Sequence, residues 1–230
     1  MGDAGGVDVI IWAGSFPRSG STLFRITWHV YTGLPTYSFA DDPVLQKDWL
    51  DPYIGQRPLP VTWDKVGQIF ESGETIHLVK THMNAADVDP GNTMCKILIV
   101  RDIRDALVSL AHYTSRRKGG RFKREIWRLI RAEKWAAFVR SWTKVSRAIV
   151  RYENLRSEPQ ATLATLLDSL EIKLPLRERE MPGFEMLHEA MPVFFRKGLV
   201  GEWRDALTAA QEGIIWNSCG EQMERLGYER

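Results

Sequence analysis

SFPRSGSTLFR occupies residues 15–25, directly after the apolar run VIIWA at residues 9–13. A continuous apolar run of that length reads as a strand buried on both faces. The turn that follows holds Gly14 and Gly20 and several hydroxyls. The spacing then predicts a helix from Ser21 through LFRITWHVY, stopped by Gly33-Leu34-Pro35. A strand, a tight turn and a helix start make a natural anion site, because backbone N–H groups and the helix dipole converge there. The nucleotide-triphosphatase form of this loop is GxxxxGK[ST]. Aligned on Gly20, this chain has Ser15 at the first glycine, Ser21 at the lysine and Thr22 at the following hydroxyl. Its positive charge sits instead on Arg18. What phosphate such a loop holds is decided further along the chain.

TIHLVK at residues 75–80, KILIV at 96–100 and AIVRY at 148–152 read as three more strands, and residues 35–63 as an irregular excursion. Helices are expected over 103–114, 122–141 and 161–170, and over most of 205–226. Apolar strands separated by helices predict an α/β fold with a mainly parallel sheet flanked by helices on both faces, in a single domain spanning 1–230. At 230 residues the chain is long enough for one sizeable core.

The strand KILIV runs into Arg101. Nucleoside triphosphate enzymes place a magnesium-holding Asp at such a strand end, so an arginine there points to direct contact with a phosphate and no metal. Lys80 and His82 close the strand in VKTHM, at the sheet edge where ligands of parallel sheets bind. Ser109 follows Arg101 by eight residues, two helical turns on, so the pair is placed to grip one phosphate by charge and hydroxyl. Arg104 and Asp105 between them read as a solvated pair. FFRKGLVGEW at 194–203 adds Arg196, Lys197 and Gly198, two cations and a backbone that can approach a phosphate closely.

Together these stretches resemble the sulfotransferases that use 3′-phosphoadenosine 5′-phosphosulfate. SFPRSGSTL is similar to the 5′-phosphosulfate loop and KTHM to the segment with the catalytic histidine. RDIRDALVS is similar to the 3′-phosphate motif, VRYENL to the tyrosine-bearing strand end, and FFRKGLVGEW to the late RKGxxGxW segment. All five come in family order and span residues 12–203. The resemblance implies that Arg18 and the backbone of Ser19, Gly20, Ser21 and Thr22 hold the 5′-phosphosulfate, with the Thr22 hydroxyl on the 5′-phosphate. It implies that Arg101, Ser109, Arg196, Lys197 and Gly198 hold the 3′-phosphate and that Tyr152 contacts the adenine. His82 would be the base and Lys80 would support the sulfonate, with no metal ion; adenosine 3′,5′-bisphosphate would be the nucleotide product. The chain departs from cytosolic small-molecule members at Arg18, where they carry lysine, and at Leu23, where an aromatic is usual. A P-loop kinase or triphosphatase and a non-catalytic nucleotide-binding domain stay open as alternatives.

Composition narrows the partners. The net charge is only +2, so the chain as a whole is not expected to bind nucleic acid. Cys95 and Cys219 fit no metal or redox spacing, and a reduced cytoplasmic setting follows. MGDAGGVDVIIWAG carries no signal-peptide pattern, no lipidation site and no span long enough to insert in a membrane. The acceptor is expected to be a small molecule or a carbohydrate, taking sulfuryl on a hydroxyl or an amine. SRRKGGRFKREIWRLIR at 115–131 is the most basic stretch: a solvated face, a gate over the cofactor and acceptor, a landing site for an acidic acceptor or a contact for an anionic membrane surface, with the gate the preferred functional reading. Trp49, Tyr53 and Trp63 suit an aromatic slot or the core equally. The oligomeric state is not legible.

Overall fold

In the computed structural model of the protein, the described residues are 9–39, 51–59, 76–88, 93–131, 134–190, 192 and 195–230. They build a six-stranded, all-parallel sheet from β1 (Val9–Ser15), β2 (Thr36–Phe39), β3 (Gln56–Leu59), β4 (Ile76–Thr81), β5 (Thr93–Val100) and β6 (Ser146–Arg151). The order across the sheet is β3-β2-β4-β1-β5-β6. β1 is central, and its alternating side chains enter two different cores. Ile10 and Trp12 pack with Leu98, Val100 and Trp142 on one face. Ile11 and Ala13 pack with Leu78, Ile97 and Ile99 on the other. This double burial is why the strand is apolar without alternation.

Helices cover both faces. α1 (Ser21–Thr32), α6 (Tyr152–Ser157), α7 (Pro159–Ser169) and α8 (Phe184–Ala190) lie on the Ile11 side. α3 (Ile103–Lys118), α4 (Phe122–Arg131), α5 (Lys134–Thr143) and α10 (Ala209–Arg225) lie on the Ile10 side. Two short turns of helix, α2 (Asp51–Ile54) and α9 (Trp203–Ala206), complete the set. A Thr208–Gln211 capping box starts α10, as expected for an exposed helix N-terminus that must satisfy its own amides.

Several expectations are corrected. The stretch 35–63 is not simply an irregular excursion, since it contributes strands β2 and β3 and helix α2. Each strand is four residues long with no continuous apolar run, so periodicity misses it. Tertiary bonds supply the missing information. Arg25 of α1 donates from Nε to Thr36 Oγ1 at 3.0 Å and from Nη2 to Gln56 Oε1 at 3.0 Å. Pro58 is tolerated because β3 is an edge strand. The helix expected over 122–141 is described as α4 and α5, and residues 132–133 between them lie outside the described residues. Tyr152 starts helix α6 and does not end the strand.

β1 sits between β4 and β5, which return from opposite sides of it. The chain after β1 therefore emerges at the sheet's switch point, flanked by the C-terminal ends of β4 and β5. Open parallel sheets bind ligands there. The loop, Lys80-His82 and Arg101 reach one place for this topological reason.

Candidate active site

The loop from Ser15 to Gly20 needs two unusual backbone conformations. Arg18 has φ 71 and Gly20 has φ 101. The left-handed region is uncommon for a non-glycine residue, and at Arg18 it marks a strained turn at the site. Gly20 has a second constraint, because a Cβ there would meet the Tyr152 ring at 2.6 Å. The first helical bond of α1 runs from the Phe24 N–H to the Gly20 carbonyl at 2.9 Å. The amides of Gly20, Ser21, Thr22 and Leu23 thus have no acceptor within the helix and point out of its positive end. The Ser19 amide behaves differently: it donates to the Phe16 carbonyl at 3.1 Å inside the turn.

A cavity of about 420 Å³ opens over this helix end, within the range of nucleotide-sized sites. Arg18, Gly20, Ser21, Thr22, Lys80 and His82 line it. So do Arg101, Ser109, Tyr152, Arg196, Lys197 and Gly198. Of the expected site residues, Ser19 alone is not in the wall; it is buried behind the turn, its hydroxyl without a hydrogen-bond partner. Tyr53 is also outside the wall, packing instead against the core. Trp49 and Trp63 lie outside the described residues.

Arg18 is the joint of the site. Its Nε donates to Ser109 Oγ at 3.1 Å, and its carbonyl accepts from Arg101 Nη1 at 3.3 Å. Its guanidinium lies 5.2 Å from the centre of the Tyr113 ring. Burial, then the neighbouring positive charge of Arg101, lowers its pKa to about 10, so it remains cationic at neutral pH. Arg101 stacks over Tyr152 at 4.4 Å. His82 donates from Nδ1 to the Ser15 carbonyl at 2.6 Å. A carbonyl only accepts, so Nδ1 carries a proton in this bond.

The segment 195–203 closes the other side. Asp105 accepts the amides of Gly201 at 2.6 Å and Trp203 at 2.9 Å. Arg101 Nη2 donates to the Leu199 carbonyl at 2.8 Å. Glu202 lines the cavity between two cations, forming an ion pair with Arg196 and another with Lys197 at 3.1 Å. Burial raises its carboxyl, but hydrogen bonds from Arg196 and Lys197 outweigh that and hold it below the usual carboxylate range. The expected solvated pair Arg104–Asp105 is corrected here: both are buried. Arg104 bonds the Asp102 carboxylate at 2.8 Å and stacks over Trp203 at 3.8 Å.

Residues 8–227 match the family described as sulfotransferase domain. The chain belongs to that family. Among curated proteins, cytosolic sulfotransferase 8 of Arabidopsis thaliana is 23% identical over 96% of this chain and 78% of its own length. Among solved structures, mouse sulfotransferase SULT7A1 complexed with PAP (adenosine 3′,5′-bisphosphate) shares the fold. It has a TM-score of 0.64 and 19% identity, over 96% of this chain and 86% of that one. As a sulfotransferase-family member, the chain is an enzyme by descent, and the resemblance of its five motifs is explained. Sequence reasoning missed Tyr113, Arg117, Glu202 and the bolting role of Asp105. The first two were within reach, because they follow Ser109 by four and eight residues and so share its helix face.

Proposed function

We propose that this protein transfers a sulfuryl group from 3′-phosphoadenosine 5′-phosphosulfate to a hydroxyl or amine of an acceptor, with His82 as base and without a metal. The observation that carries the reading is the meeting, in one cavity, of an arginine-bearing helix N-terminus with Arg101, Ser109, Arg196 and Lys197. The residues suit such a donor. Arg101 Nε and Arg196 Nε are buried without hydrogen-bond partners, so donor capacity remains in the wall. Among the described residues no cluster of carboxylates, histidines or cysteines has a metal-site arrangement.

When bound, the donor supplies an activated sulfuryl group on a phosphate leaving group. The chain's own residues do the rest. His82 Nε2 takes the proton of the acceptor as it attacks, while the Ser15 carbonyl holds the ring by Nδ1. Arg18 and the amides of Gly20 to Leu23 place positive charge where the leaving phosphate gains negative charge. Lys80 adds charge at the sulfonate. Arg101, Ser109, Arg196, Lys197 and the Gly198 backbone take the 3′-phosphate, and Tyr152 takes the adenine. The name of the Arabidopsis relative, together with two buried free cysteines, supports a cytoplasmic setting. Among the described residues no helix is long and apolar enough to cross a membrane.

The test is calorimetric titration with adenosine 3′,5′-bisphosphate beside ADP, both without magnesium. Preference for the bisphosphate is expected. Binding of ADP alone, and only with magnesium, would revive a kinase. Turnover is the second arm. His82→Ala should lose at least about a hundredfold in kcat while bisphosphate affinity stays within about twofold. Full turnover in that variant removes the histidine from its role.

A further inference from the structure

The cavity carries more positive charge than its nucleotide needs. Seven lysines and arginines line it against one carboxylate, Glu202, among the described residues. The 3′-phosphate and 5′-phosphosulfate of the donor bring about four negative charges at neutral pH. The roles proposed above use five of the seven cations. Arg117 and Arg156 are left over. Arg156 lies over the Phe184 ring at 5.5 Å, on the same short helix as Tyr152. Arg117 sits elsewhere. It follows Ser109 by two helical turns on α3, and Tyr113 stands between them on the same face.

Tyr113 ties that stretch to the reacting end. Arg117 Nη1 donates to the Tyr113 hydroxyl at 3.1 Å, and its guanidinium is 5.6 Å from the ring centre. Arg18, the loop cation, approaches the same ring. The wall beyond the phosphosulfate loop is therefore an aromatic ring with an exposed guanidinium at its hydroxyl edge. A guanidinium there can exchange the phenol for a carboxylate or sulfate in its fork.

The chain that continues from Tyr113 repeats the sign. Residues 116–128 hold seven cations and one carboxylate, in a chain whose net charge is only +2. All seven cations are exposed. The one acid, Glu125, is buried and bonded to Arg128 at 2.9 Å. Such a field raises the local concentration of anions at a cavity mouth.

We infer that the acceptor is itself an anion. It carries a carboxylate or sulfate besides the group that receives sulfuryl, and Arg117 with the Tyr113 hydroxyl binds that anionic group. This rests on the sulfuryl-transfer reading above, and it names the substrate class for that site. A neutral phenol would fill the aromatic wall and leave the guanidinium unanswered.

The probes are a matched pair, 4-hydroxyphenylacetate and 4-hydroxyphenylacetamide, titrated into protein already loaded with adenosine 3′,5′-bisphosphate. The acid should bind about fivefold more tightly than the amide, the upper end for an ion pair open to solvent. In Arg117→Gln the two should bind alike, with the loss falling on the acid. Raising salt from about 50 to 500 mM should shrink the preference in the unsubstituted protein. Equal binding of the pair, failure of both to bind, or a preference untouched by Arg117→Gln overturns the inference. Failure of the bisphosphate itself to load is a different result, and it removes the sulfuryl-transfer reading instead.

Discussion

Two halves of the candidate site hold their polar groups by opposite means. The loop at residues 15–22 is built from consecutive residues between β1 and α1, and its donors are main-chain amides at a helix end. The segment 195–203 has almost no regular structure of its own before α9. It is held by side chains from α3 and the β5 end, with Asp105 on two of its amides and Arg101 on one carbonyl. The first half is local and stiff. The second is only as good as its distant bolts. Removing one residue should therefore damage the halves differently: the loop fails by strain, the segment by release.

Gly20→Val attacks the stiff half and should have the largest effect. A β-branched side chain must adopt a φ near 101 and meet the Tyr152 ring. Backbone strain and overpacking of about 1–3 kcal/mol each predict roughly a hundredfold weaker binding of the bisphosphate and of ADP alike. Calorimetry with both nucleotides checks it, and a loss confined to one nucleotide breaks the comparison.

Asp105→Ala attacks the bolted half. Two amide bonds to a carboxylate disappear, and Gly201, at φ 82, loses what holds it. Loss of about 2 kcal/mol in the loop's order predicts bisphosphate binding roughly thirtyfold weaker, with ADP changed by less than about twofold. Equal losses for the two nucleotides would show that the segment does not serve the 3′-phosphate.

The smallest effect is a pH dependence. The folded Glu202 carboxyl lies below its ordinary value of 4.5, held there against burial by Arg196 and Lys197. Its stabilising contribution is complete above that ordinary value and fades as pH falls through the folded value. Thermal midpoints measured between pH 6 and pH 3 should fall less in Glu202→Gln than in the unsubstituted protein. The difference belongs to the bolted half, so it should vanish in the Asp105→Ala background if release is already complete.

The same contrast explains what was legible. β1, the loop and α1 could be read from residues 9–33 because strand apolarity, turn glycine and helix spacing are all local signals. Arg101 and Ser109, expected near one another from the pitch of a helix, both line the cavity. β2 and β3 could not be read, since four-residue strands carry too little pattern and draw their order from β4 and Arg25. Asp105 was misread as solvated for a related reason. Its partners are amides 96 and 98 residues away, and amides leave no trace in residue identity.

The sequence by itself determined the residue types of the candidate site, their order and their family, because charged and hydroxyl-bearing residues at loop and helical spacings are local signals. Only the tertiary structure decided that Arg18 joins Ser109 and Arg101 and that Glu202 sits between Arg196 and Lys197. Each of those facts is a contact across at least one packed element, or between side chains whose direction depends on the packing. No local pattern of residues contains them.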